Sequence, residues 1–226
     1  MSDGGWPARI LIAPFLALLA GILAGNAYAA ENAAREPRIG VYVEVDTPPL
    51  TIHEHPEPLL PRGGSGGGRL DGLAVLELFM QAEYDMTLVS YSSGGSMFWV
   101  TGISVTLAYR NPEVYIAGRH PKGSCEYRSV RDHEDEHVGA DREVVKTFAE
   151  RMESALRLGD WPTYSNPRPV SSMEEGKAET SAKLEALIRP IFEELKARRR
   201  EVRQALDSEE NYQRTQQQCT PRSGPA

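Results

Sequence analysis

His133-Glu134-Asp135-Glu136-His137 spells H-E-x-x-H. On a helix, residues four apart stand one turn above each other on the same face. Two imidazoles so placed can grip one Zn2+, and the Glu between them can act as general base toward water at the metal. The string occurs by chance in roughly one chain in a hundred of this length, so its placement decides what it is worth. At about 100° per residue, Val130, Val144, Phe148, Met152 and Ala155 form one apolar stripe. His133, Glu134, His137 and Asp141 lie on or beside that stripe, whereas Asp132, Asp135, Glu136, Arg142, Glu143, Lys146, Glu150 and Glu153 face the other way. Titratable groups on an inward face are costly unless paired or metal-bound. A metal accounts for all four at once. The alternative is a helix end that projects past the core and leaves them wet.

The elements that must position this motif follow from periodicity and punctuation. Arg38 to Asp46 alternates as a half-buried strand, and Leu50 to His55 reads as a second, short one. Residues 56–69 are rich in Gly and Pro and form a loop; no Gly-Lys-Ser/Thr follows the Gly run, so it is not a phosphate cradle. Leu70 to Glu83, apolar on several sides, predicts a buried helix. Met86 to Tyr91, Met97 to Tyr109 and Val114 to Ala117 predict strands. A long helix runs from about Glu126 to Leu158. Gly159 to Ser171, with three prolines, reads as a loop. Ser172-Met173-Glu174-Glu175 fits a capping box that opens a second long helix to Leu206, kinked at Pro190, with Leu184, Leu187, Ile188, Ile191, Leu195, Val202 and Leu206 as its apolar stripe. Residues 207–226 read as a polar tail. The expected class is α+β: a small, mostly antiparallel sheet packed against two long C-terminal helices, the first carrying H-E-x-x-H.

Composition and targeting narrow the function. Residues 1–29 read as a signal peptide, with Arg9, an apolar run from Ile10 to Gly25 and a small-x-small site at Ala27-Tyr28-Ala29; a retained anchor is the alternative. Residues 30–226 then form a single domain, with no membrane insertion after cleavage and a periplasmic or secreted location. Lys plus Arg number 25 against 32 Asp plus Glu, for a net charge of −7, which argues against a nucleic-acid partner. Cys125 and Cys219 form an even pair in an exported chain and read as one disulfide, two free thiols being the alternative. His53 and His55 read as a solvated pair, and Trp99, Tyr109 and Tyr115 as core. Tyr164 and Tyr212 are candidates to polarise a carbonyl. Glu134-x-x-His137 is also half of a di-iron carboxylate pattern, but no second copy is present.

At these residues the chain resembles the zincins, the H-E-x-x-H metallopeptidases. More narrowly it resembles a poorly characterised group of exported bacterial Zn-dependent proteases. The narrower resemblance rests on Val114-Tyr115-Ile116-Ala117, Gly123-Ser124-Cys125-Glu126-Tyr127, His133 to Val138, and a late Asn211-Tyr212 followed by Cys219. It implies His133 and His137 as zinc ligands, Glu134 as general base, a peptide or protein substrate, and an edge strand beside the motif helix. Asp135 and Glu136 depart from the usual uncharged middle positions. The third ligand stays open. Asp141, one turn beyond His137, is the first choice, as ligand or as acceptor for an imidazole N–H. Glu143 holds the metzincin position but faces outward unless the helix breaks near Gly139; His120, Glu185 and Glu194 are the others. The competing reading is a non-catalytic binding or assembly protein whose metal site is structural or vestigial.

Overall fold

The structure, a computed structural model, describes residues 39–55, 71–92, 94–217 and 219. The expected signal peptide and the 56–69 loop lie outside the described residues, as does most of the tail beyond Gln217. Five strands and three helices follow in the order β1 (Gly40–Asp46), β2 (Thr51–His55), β3 (Gly72–Ser90), β4 (Ser96–Ala117), α1 (Cys125–Arg157), β5 (Arg168–Val170), α2 (Met173–Leu206) and α3 (Glu209–Gln217). Among the described residues no helix is long and apolar enough to cross a membrane.

All four other strands pair with β4 in one five-stranded sheet. β2 runs parallel to β4, with Thr51 opposite Glu113 and His55 opposite Ala117. β5 runs antiparallel to it, with Ser96 opposite Val170. The expectation of a small, mostly antiparallel sheet against two C-terminal helices is therefore corrected. A parallel pair needs a long crossover, and the β2–β4 crossover contains β3, so no local turn signal announces it. A fifth strand lies between the two long helices, and a third helix follows them.

Three further expectations change. In the described part of the expected Leu70–Glu83 helix, residues from Gly72 on begin β3 instead, whose Leu76, Ala82, Tyr84 and Met86 are buried at even positions. Met97 to Tyr109 and Val114 to Ala117 are one strand, β4. From Ile103 on, its large buried side chains shift from odd positions (Ile103, Val105, Leu107, Tyr109) to even ones (Val114, Ile116) across Asn111, which has φ 45°. One inserted residue in left-handed conformation, tolerated by Asn, produces such a slip. Part of the Gly159–Ser171 loop forms β5, because Pro169 and its neighbours reach the start of β4.

The described residues fall into two compact units. One takes the residues up to Glu44, Gln81–Thr106 and Arg151–Pro190. There Phe98, Val100, Ile103, Met152, Leu156, Leu184 and Ile188 are buried. An added Cβ at Gly176 would meet Met86 Cε at 2.9 Å, so α2 presses on the sheet at a residue without a side chain. Ser172 Oγ accepts the Glu175 N–H at 3.2 Å, and the Glu175 carboxylate accepts back from the Ser172 N–H, as a capping box requires, and from the Ser171 N–H at 2.6 Å. The other unit takes Val45–Met80, Leu107–Glu150 and the residues from Ile191 on. Its buried residues include Leu76, Tyr109, Val114, Ile116, Val138, Val145 and Leu195. Gly123, at φ 85°, and Ser124, whose Oγ accepts the Tyr127 N–H at 3.0 Å, begin α1. Cys125 and Cys219 are joined by a disulfide within this unit.

Candidate metal centre

α1 buries Val130, Phe148 and Met152 of the stripe that the wheel predicts, but Val144 and Ala155 are only part-buried, and Val145, Ala149 and Leu156 take the inward positions beside them. Val130, Glu134, His137, Val138, Asp141, Val145, Phe148 and Ala149 are buried, while Asp132, Asp135 and Glu136 face water. His133 is half-buried. Four-residue spacing stacks the two imidazoles, with ring centroids 4.7 Å apart and planes at 86°.

The third member of the cluster is Asp207. It follows α2 directly, its N–H bonded to the Arg203 carbonyl at 2.9 Å. His137 Nε2 is 2.9 Å from Asp207 Oδ1, His133 Nε2 is 3.6 Å from it, and the two Nε2 atoms are 3.2 Å apart. A tetrahedral zinc ion with bonds of about 2.0–2.1 Å sets its ligand atoms about 3.3–3.4 Å apart. The three measured edges bracket that value, so one ion can reach all three atoms. His133, His137 and Asp207 thus make a possible metal-binding triad.

The charges agree with that grouping. The Asp207 carboxylate beside His133 raises the pKa of that imidazole, against the opposing effect of burial. Burial alone would raise Asp207, but His133 and His137 together outweigh it and hold its carboxyl far below the ordinary carboxylate range.

Glu134 points elsewhere on the same face. It is 4% exposed. Burial pushes its carboxyl up to about 6, while His137 and His133 pull it down and the Ala74 N–H donates to it. Gly72 opens β3 at this point: a Cβ there would lie 2.8 Å from Val130 Cγ1 and clash with the Glu134 carboxylate. The start of β3 therefore holds the Glu that the motif places between the two histidines.

Asp141 is one turn beyond His137, as expected, but its oxygens are taken up by protein donors. It accepts from Tyr109 Oη at 2.8 Å, Arg199 Nε at 2.8 Å and Nη2 at 3.0 Å, and Arg203 Nη2 at 3.2 Å. Asp207 occupies the place in the cluster that the sequence reading assigned to Asp141. Glu143 and Glu194 are exposed, Glu185 pairs with Arg189, and His120 Nε2 sits 2.7 Å from Asp71 Oδ1. His53 stacks on Tyr115 and lies 3.3 Å from Glu113 Oε1. The His55 and Tyr212 side chains lie outside the described residues. Tyr164 is 62% exposed and meets Trp99 edge-on, in the unit that does not contain the triad. Sequence reasoning missed Asp207 because it opens a stretch read as tail. The available signal was its spacing, eight residues after Arg199 and four after Arg203.

No protein-family model matches the chain, and no curated protein and no solved structure matches it significantly.

Proposed function

We propose that the chain is an exported zinc-dependent hydrolase acting on peptide or protein substrates. His133, His137 and Asp207 would hold the metal and Glu134 would serve as general base. The observation that carries this reading is the triangle of donor atoms with edges of 3.2, 2.9 and 3.6 Å beside a buried Glu. Three protein ligands are the donor count of catalytic zinc sites, whereas structural sites take four. Asp207 is 62% exposed, so the cluster is reachable from solvent. Zinc held there supplies a charge that polarises a carbonyl and acidifies water. Glu134, with a carboxyl pushed up to about 6, is suited to take a proton near neutral pH and return it to a leaving amine. The apolar leader with its small-x-small site and the disulfide support export to an oxidising compartment.

A second reading, a structural metal clip in a non-catalytic binding or assembly protein, is favoured by one observation. The Glu134 carboxylate already accepts the Ala74 N–H and is walled in at Gly72.

The test uses the oxidised chain from residue 30. Zinc affinity is read by competition with a chromophoric chelator, and hydrolysis on an unfolded protein and a peptide library. Zinc binding is expected at or below micromolar concentration. Asp207→Ala should weaken it at least about tenfold, and Glu134→Gln should keep zinc but lose hydrolysis about 10²–10⁴-fold. Failure to bind zinc would sink both readings. Tight zinc binding without hydrolysis of any substrate would leave the clip.

A further inference from the structure

α1 and the end of α2 carry matching ladders. His133, His137 and Asp141 recur every four residues on α1, and Arg199, Arg203 and Asp207 do so along α2 and its C-terminal end. The rungs pair in reverse order: Asp141 with Arg199 and Arg203, and both histidines with Asp207. We propose that the Asp141–Arg199–Arg203 node is a positioning device that sets the register of α2 against α1 and thereby brings Asp207 to the metal; this rests on the metal site proposed above.

The node is built for precision. Asp141 is 2% exposed, Tyr109 4% and Arg199 9%. Arg199 grips both oxygens of Asp141 through Nε and Nη2, a planar fork that fixes direction as well as distance. A buried ion pair contributes little net stability, because desolvation offsets attraction, and its best-attested role is to specify register. Here the register has a use. Asp207 lies just past the end of α2 and is mostly exposed, so its side chain is held by the imidazoles it meets and not by burial. The helix end that carries it is anchored one turn earlier by Arg203, whose Nη2 reaches Asp141 Oδ1 at 3.2 Å. One turn of slip, about 5.4 Å, would carry Asp207 beyond reach of both imidazoles.

The node also reaches β3. Arg199 Nη2 and Arg203 Nη2 donate to the Leu76 carbonyl at 2.7 and 3.2 Å. Leu76 lies two residues beyond Ala74, whose N–H holds Glu134. The three elements that carry the site therefore meet at the guanidiniums of Arg199 and Arg203. Arg199, Arg203 and Asp141 are positioning residues, since they act through the side chains they place.

Arg203 is the position to test, because Asp141 keeps Arg199 and Tyr109 when it is removed. Arg203→Met and Arg203→Lys are prepared in the oxidised chain. Arg157→Met, which removes a donor to the Val41 carbonyl at the end of α1, serves as a control that perturbs stability only. Zinc affinity is measured by chelator competition, the visible spectrum with Co2+ alone, and the melting temperature after chelation. Arg203→Met should weaken zinc about 10–100-fold and change the Co2+ bands, with Arg203→Lys falling between. Its chelated melting temperature should drop no more than that of Arg157→Met, which keeps wild-type affinity. If Arg203→Met binds zinc within about twofold of the wild type, or loses no more affinity than Arg157→Met, the positioning role is overturned and the metal site stands. A wild-type chain that binds no zinc overturns both, and is recognised before any variant is made.

Discussion

Glu134 carries the sharpest expectation at the residue scale. Its carboxyl ionises at about 6 in the folded protein against an ordinary 4.5, chiefly because it is buried. With metal removed, the folded state holds this proton to higher pH than the unfolded chain does. Stability therefore falls as pH rises from 4.5 through about 6, and the loss persists above that window. Glu134→Gln keeps an acceptor for the Ala74 N–H and carries no charge. It should stabilise the chelated protein by about 2 kcal/mol at pH 7.5 and by almost nothing at pH 4. Urea melts at both pH values check this, and an equal gain at the two would show that ionisation is not the cause. Spacing alone made His133, Glu134 and His137 legible, since four-residue periodicity holds along any helix. Asp207 was not, because its partners are 70 and 74 positions away along the chain. Asp141 lies on the right face, and Tyr109 together with the arginines of α2 explains why it is occupied otherwise.

Among the elements, α2 contributes its first half, to Pro190, to one unit and the rest to the other. Its first turn is held by Ser172 and Glu175, its last positions Asp207. Ser172→Ala should lower stability by about 1 kcal/mol. Zinc affinity should be unaffected, because Ser172 belongs to the unit that does not contain the triad; a parallel loss of both in melts and chelator competition would contradict that separation. α1 and α2 were legible almost to the residue, since caps and apolar stripes are local signals, whereas α3 lies in the stretch read as a polar tail. β3 was not. Every even position from Gly72 to Leu88 is apolar or glycine, the alternation of a strand, but Leu73, Val75 and Phe79 fill the odd positions and mask it. β5 hid among prolines, which at a sheet edge are tolerated where they owe no hydrogen bond. The phase slip at Asn111 split one strand into two on paper.

At the scale of the whole molecule, strand order was the least legible property. Thr51 pairs with Glu113 across a crossover that no turn signal marks. The disulfide was readable because two cysteines allow a single pairing. It closes a loop across a sequence separation of 94 residues, so its removal frees much of the chain when unfolded. The double variant Cys125→Ser, Cys219→Ser should be about 2–5 kcal/mol less stable in denaturant melts than the oxidised protein. An unchanged midpoint would mean that the unfolded chain gains no freedom from the cut. That same bond has a topological consequence. His133, His137 and Asp207 all lie between Cys125 and Cys219, so one backbone cleavage inside that ring, for instance after the exposed Tyr164, yields two polypeptides that remain one covalent molecule. Nicking in a protease-rich environment would be invisible without a reductant, and the imidazoles and the carboxylate would stay tethered after it.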